Sequence, residues 1–99
     1  MKAADQVQSL PRSGYRSQSE ILAEILELSK EMVFLTKVMY KCNLSFQQLI
    51  AYTKLLAEND LITIIEEKHG KQTRRGALIT SKGLKLLDLL KKTAPFLSK

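Results

Sequence analysis

The chain has 99 residues, 44% of them hydrophobic and 26% charged, the size and balance of one soluble globular domain rather than of a disordered chain. No apolar run approaches the ~18 residues that a membrane helix needs, and the opening stretch MKAADQVQSLPRSGY lacks the apolar segment of a secretory signal, so a cytoplasmic protein is expected. Cys42 is the only cysteine and His69 the only histidine, which excludes an internal disulfide and leaves no zinc site; neither an enzyme, a metal nor a cofactor is expected.

The charge is more informative. Sixteen Lys and Arg against ten Asp and Glu give +6, with a pI near 9.6, a balance that points to a polyanionic partner. The excess is one-sided. Residues 1–35 hold four basic and five acidic side chains, whereas residues 36–99 hold twelve and five.

Residues 1–16, with Pro11 and Gly14 and no periodicity, read as a flexible arm ahead of a domain over 17–99. Ser17 and Glu20 have capping-box spacing before a helical series. Ile21, Leu22, Ile25, Leu26, Leu28 and Met32 fall on one arc, and Glu20, Glu24, Glu27 and Glu31 form an acidic ridge opposite. Thr36 is expected to cap a short second helix over 37–42. Asn43-Leu44-Ser45 reads as a tight connection, with Ser45 capping a third helix over 46–58. Asn59 and Asp60 suit the left-handed conformation that ends a helix. LITII (61–65) then reads as a strand, EEKHGKQTRRG (66–76) as a long basic loop, and ALIT (77–80) as a second strand. Thr80 or Ser81 caps a last helix over about 81–93, limited by Pro95. The order helix, helix, helix, hairpin, helix is an α+β layout, mostly α: a winged helix-turn-helix of three helices, a β-hairpin wing and a C-terminal helix.

At this point the residues resemble a known family. TKVMYKCNLSFQQLIAYTKLLAENDLI (36–62) is similar to the helix-turn-helix of small archaeal winged-helix DNA-binding proteins and transcriptional regulators. RSQSEILAEILEL (16–28) resembles their opening helix, and ALITSKGLKLL (77–87) their closing strand with the T-x-K-G start of the last helix. The resemblance implies DNA binding, transcription regulation or chromatin-type DNA organisation, nucleoid association, and dimerisation through the last helix. Asp60 stands where such proteins commonly have glycine, and the stop near Pro95 argues against a long coiled coil.

Angular placement along the third helix separates its two sides. Leu49, Tyr52, Thr53 and Leu56 gather on a packing side; Gln47, Ile50, Ala51 and Lys54 lie opposite, with Gln48 on the flank. Gln pairs with adenine, Lys reaches guanine acceptors, and Ala or Ile touches a thymine methyl, so this set suits a major-groove reader. Ile50 either contacts DNA or covers Phe46. On the basic wing, Lys68, His69, Lys71, Arg74 and Arg75 suit a phosphate backbone or a minor groove, and Gly70 and Gly76 are expected to give the loop freedom. Thr36 and Lys37 open a helix whose free N–H groups favour a phosphate; Ser45, the cap of the reading helix, joins the same set. Tyr40 and Lys41 are lesser candidates for backbone contacts. Cys42, beside the turn, is expected to be buried, since a redox role needs an exposed, activated thiolate.

In the last helix, Leu84, Leu86, Leu87, Leu89 and Leu90 span roughly 220° at ~100° per residue. A core-facing stripe is narrower than that. Leu86, Leu89, Leu90 and Phe96 are therefore expected at a homodimer interface. Two rivals stand beside double-stranded DNA binding: a winged-helix protein–protein adaptor, because fold does not fix function, and RNA binding, which the deep, narrow A-form major groove disfavours.

Overall fold

The computed structural model describes residues 16–97, with side chains up to residue 92. The arm expected over 1–16 lies outside the described residues except for Arg16. Its guanidinium donates to the Glu24 carboxylate and to the Cys42 carbonyl, so this residue is pinned to the domain rather than loose.

Helix α1 spans Gln18–Leu28. Ser17 and Glu20 cap it reciprocally: the Glu20 N–H donates to the Ser17 hydroxyl at 3.1 Å, and the Ser17 N–H to the Glu20 carboxylate at 2.7 Å. Ile21, Ile25 and Leu26 are fully buried. At its end the Ser29 hydroxyl donates to the Ile25 carbonyl at 2.7 Å, while the Ser29 carbonyl accepts the Ile79 N–H at 2.7 Å. That bond fastens the helix end to the sheet. Met32 falls beyond α1 and packs at Gly76, where a Cβ would meet its sulfur at 2.4 Å.

A two-residue strand not anticipated from the sequence, β1 (Val33–Phe34), precedes α2 (Leu35–Lys41). Thr36 is therefore not the cap. Phe34 holds that position without a side-chain hydrogen bond, because its backbone is already extended by pairing opposite Gly76. Asn43, at φ 56°, turns the chain. The helix α3 follows over Phe46–Glu58 with Ser45 as its cap, and buries Leu49, Tyr52, Thr53 and Leu56, the side expected from their angles. At its end only Asp60 is left-handed (φ 61°); Asn59 stays at φ −96° and its side-chain amide donates to the Leu55 carbonyl at 2.8 Å.

Strands β2 (Ile62–His69) and β3 (Gln72–Ile79) pair antiparallel from Ile62↔Ile79 to His69↔Gln72. Most of the long loop expected over 66–76 is thus regular ribbon, closed by a two-residue turn at Gly70-Lys71 with Gly70 at φ 64°. Gly76 gives no freedom; it admits Met32 and the Val33 carbonyl against the sheet. The sheet order is β1-β3-β2.

Helix α4 runs Ser81–Leu97, past the end expected near residue 93. Pro95 lies inside this span instead of ending it, and having no N–H it leaves the carbonyl of Lys91, four residues earlier, without its helical donor. The Thr80 hydroxyl accepts the Gly83 N–H at 2.9 Å and donates to the Asp60 carbonyl at 2.7 Å, joining the start of α4 to the end of α3. Leu87 completes the core against α1, with Leu86 and Leu90 packed partly against it.

Candidate nucleic-acid interface

With its inner side packed, α3 turns Phe46, Gln47, Ile50 and Lys54 to solvent, whereas Ala51 is half-buried. Phe46 is 66% exposed and Ile50 41%, so Ile50 does not act as a cover for Phe46. Gln48 has a structural task. Its side-chain carbonyl accepts the Ser45 N–H at 2.8 Å, while its own N–H donates to the Ser45 hydroxyl at 3.1 Å. The S-x-x-Q spacing that signals this cap is present in the sequence, where Ser45 reads as the cap and Gln48 only as a flank of the exposed set. Lys54 lies 4.0 Å from the Glu58 carboxylate on the exposed helix surface.

The wing presents its cations through specific contacts. The Arg74 guanidinium sits 3.8 Å from the centroid of the Phe34 ring, and His69 meets the same ring edge-on at 6.2 Å. Arg75 Nε donates to Glu66 at 3.2 Å, across the Glu66↔Arg75 pair of the ladder. His69 Nε2 lies 3.4 Å from Glu67. Lys68 and Lys71 are exposed near and at the turn. Phe34 is a residue that sequence reasoning missed: a single aromatic in a two-residue strand has no periodic signal, yet it holds Arg74 in place.

One cleft of ≈ 280 Å³ joins the two parts. Phe46, Leu49 and Ile50 of α3 form one wall, Phe34, Leu35, Thr36 and Met39 its floor, and Thr73, Arg74 and Arg75 of the wing the other wall. Lys37 is exposed in the first turn of α2 beside Thr36. Ser45, Gln47, Ala51, Lys54, Lys68 and Lys71 do not line the cleft.

A second cavity, ≈ 380 Å³ between α1 and α4, is lined mainly by Ala23, Leu28, Leu87, Glu24, Glu27 and Lys91, with Cys42 at its edge. Burial pushes the Cys42 thiol up to about 11, with the Glu24 carboxylate adding to the effect. A thiol so protonated is not an activated nucleophile. Glu27 spans the same junction, accepting from Lys91 at 3.0 Å and Lys30 at 3.2 Å; the Lys91 hydrogen bond, then that of Lys30, holds its carboxyl below the ordinary range. Among the described residues no group of three or more His, Cys, Asp or Glu is placed to hold a metal ion, and no helix is long and apolar enough to cross a membrane.

A family model described as winged helix-turn-helix matches residues 15–97. The chain belongs to the winged helix-turn-helix family. In that frame α2 and α3 are the helix-turn-helix, α3 its second helix, and β2–β3 the wing. Among solved structures, the chain is similar to the DNA-binding protein Sso10a-2 of Sulfolobus solfataricus, with a TM-score of 0.74 at 22% identity over 84% of this chain and 83% of the other. It is also similar to smu.1704 of Streptococcus mutans, with a TM-score of 0.75 at 20% identity over 85% and 86%. A PadR-family transcriptional regulator of Eggerthella lenta gives 0.69 at 15% identity, over 97% and 85%. At these identities the likeness is one of fold. No curated protein matches the chain by sequence.

Proposed function

We propose that this winged-helix chain binds double-stranded DNA as a transcriptional regulator or DNA-organising protein. Helix α3 enters the major groove, with Gln47, Ala51 and Lys54 toward base edges, and the wing follows the backbone or a minor groove with Lys68, Lys71, Arg74 and Arg75. Thr36, Lys37, Ser45 and Gln48 lie at or near the starts of α2 and α3, where backbone N–H groups favour a phosphate. The observation that carries this reading is the shared cleft, in which the exposed side of α3 and the arginines of the wing face the same space. Charge agrees with it. The acidic residues Glu24 and Glu27 of α1 line the other cavity, where Arg16, Lys30 and Lys91 pair with them.

The chain acts as a homodimer through α4, using Leu86, Leu89, Leu90 and Phe96. Leu89 is 58% exposed and supports such a surface, while Leu86 and Leu90 are shared with the core; the Phe96 side chain lies outside the described residues. Two recognition helices held together reach successive major-groove faces about one turn apart.

The test is a titration of the intact protein with a DNA duplex at two salt concentrations, with duplex RNA as competitor. Tight binding that weakens steeply with salt and yields little to RNA is expected. Negligible duplex affinity at low salt contradicts the reading and favours an adaptor.

A further inference from the structure

The outward side of α3 is more apolar than a reader built only of hydrogen-bonding groups. Gln48 is committed to its cap and Ala51 is half-buried, so Phe46 and Ile50 dominate the lip of the cleft, 66% and 41% exposed. They are four residues apart and therefore stand on one helix ridge. Exposing a phenylalanine and an isoleucine side by side sacrifices burial that the fold leaves unused. The opposite wall of the cleft carries Arg74 and Arg75, which makes the surroundings of this ridge suited to a polyanion rather than to an apolar protein face. In a DNA major groove the apolar feature available to such a ridge is the thymine 5-methyl group.

We infer that Phe46 and Ile50 read thymine 5-methyl groups in the major groove, so that the chain prefers T-containing steps through apolar contact rather than through hydrogen bonds. The inference rests on the DNA-binding reading above and adds its chemical basis of selection. Arg74, held over Phe34 at one edge of the cleft, fixes the backbone on the far side and so sets how deeply the ridge enters.

The experiment compares an alternating dA-dT duplex with an alternating dA-dU duplex of the same length. The substitution deletes only the 5-methyl groups and leaves charge and base pairing in place. The intact protein is expected to bind the dA-dT duplex more tightly, by about fourfold for each methyl group that the ridge touches, the equivalent of one buried methyl group. A Phe46→Ala, Ile50→Ala double variant is expected to bind both duplexes alike, with an affinity near that of the parent for dA-dU. Equal binding of both duplexes by the parent overturns the inference while leaving the DNA reading intact. A preference that survives in the double variant overturns it too, since duplex shape would then be the cause. Failure of the parent to bind either duplex at low salt overturns the DNA reading, and this inference with it.

Discussion

Gly83, in the first turn of α4, packs closely on the Leu61 backbone and on Ile79 of β3. A Cβ there would lie 2.1 Å from the Leu61 carbonyl oxygen and 2.7 Å from Ile79 Cγ1, and backbone cannot move aside as a flexible side chain can. Gly83→Ala is expected to cost about 2 kcal/mol or more, lowering Tm by roughly 10 °C in a domain of this size; an unchanged Tm in thermal denaturation contradicts the packing described. Cys42, protonated and covered, is expected to react with a disulfide reagent at pH 8 far more slowly in the native protein than in denaturant. Equal rates contradict its burial. That burial is legible in sequence, since a small side chain beside a helix-turn-helix connection has a slot to fill. The role of Phe34 is not, because it depends on a strand pairing between residues 34 and 76, distant in sequence and too short for periodicity.

The elements differ in how much of them the sequence reveals. Helix α3 and the start of α1 are legible because each combines a capping serine with a one-sided apolar series, whereas α1 ends at Leu28, short of the Met32 that its apolar arc reaches in sequence. The wing is harder: from Glu66 to Arg75 nearly every side chain is exposed, so no alternation between core and solvent marks the strands. The cap itself is testable. Gln48→Ala is expected to lower stability by about 1 kcal/mol, as removal of a capping partner does, and a variant as stable as the parent in urea contradicts the capping box. Between α1 and α4, Glu27 gives a pH signature. Its folded carboxyl is held below the ordinary 4.5 by Lys91 and Lys30, so its stabilisation is present above that value and lost as pH falls through the lowered one. Both partners are about half exposed or more, so screening keeps the effect below about 1 kcal/mol. Glu27→Gln is expected to be less stable than the parent near pH 7, with the difference shrinking as pH falls below 4.5; a difference that stays constant as the pH is lowered contradicts the ion pair.

For the whole molecule, the governing feature is the separation of charge. Acidic α1 residues pair with Arg16, Lys30 and Lys91, while Lys68, Lys71 and Arg74 stand on exposed ribbon beside α3, where Arg75 is tied to Glu66 and His69 lies beside Glu67. Self-association belongs at this scale as well: sedimentation at micromolar concentration is expected to give a dimer, and a charged substitution at Leu89 to give a monomer. A dimer indifferent to that change contradicts the assignment of α4. The central claim is that α3 and the wing grip one duplex together, and the salt dependence of binding by a Lys71→Ala, Arg74→Ala, Arg75→Ala variant tests it most directly. Weaker binding to every duplex sequence is predicted, with a log–log slope flatter by about one unit for each phosphate that the variant no longer neutralises. A variant that keeps the parental affinity and slope contradicts the claim.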